Sequence, residues 1–183
     1  EKLVISNGEQ AEKILKDIEG AKYKVVKIEE KQTKRSPSAP FITSTLQQEA
    51  SRKLHFSVKK TMMVAQQLYE QGFITYLRTD SLNLSDKFLN DARDYLKNNL
   101  NNNYALTTPR RFKTKAKGAQ EAHEAIRPTS FERTPDDVKA FLEPQAFKLY
   151  KLIWERAIAS QMVSADTEAT HISVTPSEAK DAV

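Results

Sequence analysis

The stretch Gly72-Phe73-Ile74-Thr75-Tyr76-Leu77-Arg78-Thr79-Asp80-Ser81 sets a phenol two residues from a guanidinium. A tyrosine hydroxyl ordinarily titrates at about 10, so at pH 7 it is neutral and a weak nucleophile. To attack a phosphodiester it needs a partner that takes its proton or stabilises the developing charge. Arg78 stays charged at any working pH and can bond two phosphate oxygens at once. In an extended segment it projects to the same side as Tyr76. Thr75 reads as a hydrogen-bonding neighbour or merely a strand-compatible residue. Asp80 either orients Arg78 or caps a following helix. Two further stretches stand out: Gln120-Glu121-Ala122-His123-Glu124-Ala125-Ile126-Arg127-Pro128-Thr129, and Ala39-Pro40-Phe41-Ile42-Thr43-Ser44-Thr45-Leu46-Gln47-Gln48. Lys59 and Lys60, and the run Arg110, Arg111, Lys113, Lys115 and Lys117, suit non-specific phosphate contact, or simply line a solvated helix start and a mobile loop. Alone, each has a plain reading: a tyrosine that packs, a surface or core histidine, a turn.

The elements that must hold these residues follow from pattern. Ser6 to Glu9 forms a Ser-x-x-Glu capping box before Ala11, Ile14, Leu15 and Ile18 at helical spacing, with Gly20 closing the pattern. Tyr23 to Ile28 is a β-rich run. Residues 31–40, basic and Pro- and Ser-containing, read as a connector. Ile42, Leu46, Ala50 and Leu54 then recur every fourth position. A second helix from Ser57 is expected to bury Val58, Met62, Ala65, Leu68 and Tyr69, with the Met62-Met63 pair in the core and Gly72 as its left-handed cap. Phe73 to Leu77 is β-prone. A third helix opens at Ser85-Asp86, residues 98–120 look like a long exposed loop, and Thr134-Pro135-Asp136-Asp137 starts another helix. A strong amphipathic helix carries Leu149, Tyr150, Ile153, Trp154, Ala157 and Ile158. Thr170 to Thr175 alternates as a half-buried strand.

Strands at both ends and helices between them imply an α+β fold. A mainly helical domain with a helix-turn-helix or winged-helix-like unit is inserted into a small β-rich domain. The expected boundaries are 1–37 for the first part of the β-rich domain, 38–162 for the helical domain, and 163–183 for the return.

Composition narrows the partners. Lys plus Arg is 29 against 24 for Asp plus Glu, a net charge of +5, a mild pointer to a polyanion. No apolar run approaches the roughly 18 residues that span a membrane, and no secretory leader is visible. With no Cys, disulfides and thiolate metal sites are excluded. The expected location is cytoplasmic. Glu1-Lys2-Leu3 lacks an initiator Met, so the chain is expected to be a piece of a longer protein.

Together the three motif stretches, in this order, resemble the type IA DNA topoisomerases. Tyr-x-Arg-Thr-Asp-Ser at 76–81 and His-Glu-Ala-Ile-Arg-Pro at 123–128 are more similar to the bacterial topoisomerase I branch than to the topoisomerase III branch. The resemblance implies that Tyr76 attacks one DNA strand, forms a 5′-phosphotyrosyl bond and leaves a free 3′-hydroxyl. Another strand passes the gap and reversal reseals it, relaxing negative supercoils without ATP. It implies that Arg78 and His123 serve the reacting phosphate, and within the matching stretches Thr75, Asp80 and Arg127 are the expected DNA contacts; Lys59, Lys60, Arg110 and Arg111 join them on their charge alone. It also implies Mg²⁺, held by an acidic cluster in a separate N-terminal domain. No such cluster is legible here: Glu29-Glu30 precede a basic connector and Asp136-Asp137 are helix-start acids. The chain therefore reads as the tyrosine domain plus part of the hinge domain that opens the gate, with no metal of its own. Its partners would be single-stranded or underwound DNA and the rest of the parent enzyme, with no membrane and a monomeric state. Two rivals stand beside this reading. Tyrosine recombinases and rolling-circle nickases need motifs absent here, and a winged-helix module without chemistry leaves 120–129 unexplained.

Overall fold

The computed structural model describes residues 4–113 and 123–176. Backbone contacts divide the chain into two units, one of Glu1–Arg35 with Asp166–Val183 and one of Ser36–Ala165. No helix among the described residues is long and apolar enough to cross a membrane.

The smaller unit contains α1 (Gly8–Ile18), β1 (Tyr23–Arg35) and β2 (Ala165–Pro176). Its helix start is shifted one residue from the expected capping box. The Asn7 side chain accepts from the Gln10 amide, and the Gln10 side chain accepts from the Ser6 amide, each at 2.9 Å. Asn7, a good N-cap residue, takes the place expected of Ser6, whose own amide is satisfied by the Gln10 side chain instead. β1 and β2 form a two-stranded sheet. The cross-strand pairs Gln32–Glu168, Thr33–Thr167 and Lys34–Asp166 run in opposite directions, so the pair is antiparallel. β1 continues to Arg35, which corrects the reading of 31–35 as connector. Those residues are held by polar cross-strand pairs with both faces exposed, so no apolar alternation marks them.

The larger unit is built from α2 (Thr43–Leu54), α3 (Val58–Glu70), α4 (Asp86–Asn99), α5 (Pro135–Val138) and α6 (Pro144–Ser160). The long α6 lies against α2, α3 and α5. It buries Leu149, Tyr150, Leu152, Ile153, Trp154, Ala157 and Ile158 into a core shared with Leu46, Ala50, Val64, Ala65, Leu68, Phe88, Leu89 and Leu96. Ser85 caps α4 by accepting from the Phe88 amide, and Thr134 caps the single turn of α5. A charged strap ties α2 to α6. Glu49 pairs with Arg52, Lys53 and Arg156, and the Arg156 guanidinium lies 4.4 Å from the centre of the Phe41 ring. Burial raises the Glu49 pKa, but Lys53, Arg52 and Arg156 outweigh it and hold the carboxyl below its ordinary value.

Several expectations need correction. Val58, Met63 and Tyr69 are exposed and Met62 is only partly buried, because α3 packs through its Thr61, Val64, Ala65 and Leu68 face. Phe73 to Leu77 forms no strand, only an isolated bridge from Ile74 to Pro128. No β-hairpin follows the α2–α3 pair among the described residues, so the winged-helix description finds no wing. The expected loop 98–120 is anchored in its first half. Residues 102–104 make a helical turn, Ala105 bridges to Met162, and Arg110 binds the end of α6. Lys115 and Lys117 lie outside the described residues.

Candidate active site

The site begins where α3 stops. The Phe73 amide donates to the Leu68 carbonyl at 2.8 Å and the Gly72 amide to the Tyr69 carbonyl at 2.9 Å, with Gly72 at φ +72°. This paired closure needs a left-handed residue, which glycine supplies without a Cβ penalty. It aims the following segment across the face of the unit.

Two neighbouring stretches then stitch that segment down. On one side, Thr129 donates its amide to the Phe73 carbonyl at 3.0 Å and its hydroxyl to the Gly72 carbonyl at 2.7 Å. The Thr75 amide donates to the Arg127 carbonyl at 2.9 Å. The Thr75 hydroxyl donates to the Ala125 carbonyl at 2.7 Å and accepts from the Arg127 amide at 3.0 Å. On the other side, the Thr43 hydroxyl donates to the Leu77 carbonyl at 2.8 Å and accepts from the Thr79 amide at 2.9 Å. The Ile126 amide closes the ring by donating to the Phe41 carbonyl at 2.8 Å. All three motif stretches thus meet through backbone and threonine hydrogen bonds.

Held this way, residues 76–81 alternate in exposure. Leu77, Thr79 and Ser81 are buried, while Tyr76, Arg78 and Asp80 are open to solvent. That is the period of an extended segment even though no strand partner runs beside it. The Tyr76 ring meets two others edge-on, Tyr69 at 5.3 Å and His123 at 6.3 Å between centroids. Arg78 and Asp80 line a depression with Ile42, Ser44, Gln47 and Met62. Asp80 caps no helix, since Ser85 does that for α4.

The remaining candidates are more occupied. The Arg127 guanidinium pairs with Glu124, donates to the Pro128 carbonyl and covers the Phe88 ring at 4.6 Å. Glu124 in turn accepts from the Ser85 amide at 2.7 Å, tying the stretch to the start of α4. Arg110 donates to the carbonyls of Ser160 and Met162 at the end of α6, where a cation meets the negative end of the helix dipole. Arg111 pairs with Asp86, Lys60 sits over the Phe56 ring, and Lys59 is exposed in the first turn of α3. With Arg127 neutralised by Glu124, Arg78 is the cation set nearest the phenol in sequence and on its exposed side. Among the described residues, no group of three or more His, Asp or Glu converges to hold a metal ion.

Sequence pattern missed two residues of this site. Thr43 carries no signal beyond its place as a possible cap. Tyr69 falls at core spacing on α3, and only the coordinates put it beside Tyr76.

The DNA topoisomerase family matches residues 1–182. The chain is 50% identical over 169 residues to DNA topoisomerase 1 of Rickettsia typhi, covering 88% of this chain and 22% of that protein. The figures for DNA topoisomerase 1 of Rickettsia prowazekii are the same. In the solved structure of full-length topoisomerase I from Thermotoga maritima, the likeness covers 92% of this chain and 28% of that one, with TM-score 0.75 and 40% identity. The chain thus spans about a fifth of the length of the curated relatives it matches.

Proposed function

Because this chain belongs to the bacterial DNA topoisomerase I family, we propose that it provides the covalent chemistry of a type IA enzyme, with Tyr76 as the nucleophile. The observation that carries this is the convergence of the three motif stretches on an exposed phenol whose neighbours are His123 and, two residues on, Arg78. The Tyr76 oxygen attacks a backbone phosphorus, and the bond from that phosphorus to the 3′-oxygen breaks. The phenol proton leaves, and the 3′-oxygen gains a proton. A phosphodiester is exchanged for a phosphotyrosyl ester, so the bond energy is retained and resealing needs no ATP. Arg78 stabilises the charge on the phosphate oxygens, where a fixed cation acts without reorganising. His123 contacts the phosphate beside Tyr76. Thr75 and Arg127, expected to touch DNA, also hold the segment, through the Thr75 hydroxyl and through the pairing of Arg127 with Glu124 and the Pro128 carbonyl.

Mg²⁺ is expected for the whole enzyme, and among the described residues no group of three or more His, Asp or Glu converges to hold it. We assign it to the acidic domain of the parent enzyme, together with the groups that move the two protons. The substrate is single-stranded or underwound DNA, which the parent meets as a cytoplasmic monomer. The smaller unit is part of the hinge that opens the gate. Binding by this chain alone is weak, non-specific and salt-sensitive, because phosphate neutralisation supplies it.

The test is covalent trapping. The full-length parent is incubated with a single-stranded oligonucleotide labelled at its 3′ end, then denatured. A labelled protein band is expected, absent for Tyr76→Phe. Label retained from the 5′ end instead would reverse the proposed polarity. No adduct from the unsubstituted parent would leave a DNA-binding module as the better reading, and a Tyr76→Phe enzyme that keeps its adduct would place the nucleophile at another residue.

A further inference from the structure

We propose that Tyr69 is a positioning residue that holds the Tyr76 ring in its attacking orientation. The inference rests on the reading of Tyr76 as nucleophile and adds a residue to it. Tyr69 lies in the last turn of α3, three residues before the glycine that ends the helix. Its carbonyl accepts the Gly72 amide, so the backbone that carries Tyr69 and the backbone that leads to Tyr76 are locked together by one closure. The two rings meet at 5.3 Å with planes 66° apart, an edge-to-face contact. Tyr69 is 40% exposed and Tyr76 43% exposed. A half-exposed phenol with no close packing would sample its rotamers freely, and only one of them points the oxygen at a given phosphorus. The Tyr69 ring removes part of that freedom from the α3 side, and His123 makes the second edge contact. The Tyr69 hydroxyl has no part in this role. No described hydrogen bond uses it, and the contact with Tyr76 is between the two rings.

The role predicts a separation of kinetic effects. Single-turnover adduct formation is measured in the full-length parent across a range of oligonucleotide concentrations, with thermal unfolding run beside it. Tyr69→Ala is expected to lower the limiting rate roughly two- to tenfold, the range of an aromatic pair's contribution converted to a rate. The concentration giving half the limiting rate stays unchanged, and so does the unfolding temperature to within the effect of a half-exposed side chain. Tyr69→Phe keeps the ring and is expected to restore the rate to within about twofold. A raised half-saturating concentration with an unchanged limiting rate would overturn the proposal and make Tyr69 a surface on which a base stacks. Unchanged kinetics in Tyr69→Ala would also overturn it. A Tyr69→Phe variant as slow as Tyr69→Ala would assign the effect to the hydroxyl and refute the positioning role. Tyr76→Phe is run in parallel. If that variant still forms adduct, the nucleophile itself is wrong, an outcome distinct from each of these.

Discussion

Two phenols of this chain are opposites. Tyr76 is 43% exposed, whereas Tyr150 is fully buried and donates to the Arg133 carbonyl at 2.5 Å. Burial is the largest influence on Tyr150. With Asp137 adding to it and Arg133 opposing it, its pKa is pushed up to about 12. The unfolded chain would titrate this group at about 10. A folded pKa raised above the unfolded one means that the neutral phenol favours the fold. Its contribution is complete below about pH 10 and is lost as pH rises through about 12. Thermal unfolding measured across that window should fall more steeply in the native sequence than in Tyr150→Phe. At pH 7 the same substitution should cost about 1 kcal/mol, the net worth of a hydrogen bond. A parallel decline in both proteins would mean that Tyr150 is not the group titrating. A tyrosine built for chemistry has the reverse requirement, an oxygen that substrate can reach.

At the scale of elements, the closure of α3 at Gly72 sets the path of the segment that carries Tyr76 and Arg78. A Cβ at Gly72 would meet nothing within 4 Å, so the cost of Gly72→Ala is confined to the backbone, at φ +72°. We expect a loss of about 1 kcal/mol in denaturant unfolding. Adduct formation should fall further than stability alone explains, because the path to Tyr76 is disturbed. Stability equal to the parent's would show that the closure is not strained. This glycine was legible from the sequence: it follows an amphipathic run and precedes a β-prone one, and nothing else punctuates there. The cap at Ser85 and the core face of α6 were legible for the same reason, since capping chemistry and a 3.6-residue period leave local marks. What sequence could not show lies in long-range polar contact. The extension of β1 to Arg35 depends on partners more than 130 residues away, such as the Thr33–Thr167 hydroxyl pair. Ile74 pairs with Pro128 by a single bridge, too short to set a strand's alternation. Tyr69 and Val58 sit at apolar helical spacing, yet α3 buries a narrower face than that spacing suggests. At the site, spacing and motif marked Tyr76, Arg78 and His123. The occupation of Arg110, Arg111 and Arg127 by Ser160, Asp86 and Glu124 depends on tertiary neighbours that charge alone does not reveal.

At the scale of the molecule, the proposed function divides labour between this chain and the rest of the parent. On that proposal, this chain supplies Tyr76 as nucleophile and Arg78 as a fixed cation, both on the larger, helical unit. Deprotonating the phenol, protonating the departing 3′-oxygen and holding metal are assigned to the rest of the parent. Each missing acid–base contribution is typically worth about 10² to 10⁴ in rate. The isolated chain should therefore fail to relax supercoiled plasmid even with Mg²⁺, and should recover cleavage when the acidic domain is added. Mg²⁺-dependent relaxation by the chain alone, abolished by Tyr76→Phe, would place those groups within these 183 residues. The most direct test of the central claim is to locate the covalent bond itself. Trypsin cuts after Lys60 and Arg78, so one peptide, Thr61 to Arg78, contains both Tyr69 and Tyr76. Denatured adduct from the full-length enzyme is treated with nuclease, digested, and the modified peptide fragmented in a mass spectrometer. The account predicts a residual nucleotide on Tyr76 with Tyr69 unmodified. A nucleotide on Tyr69, on another peptide, or an adduct carrying no modified tyrosine would contradict it.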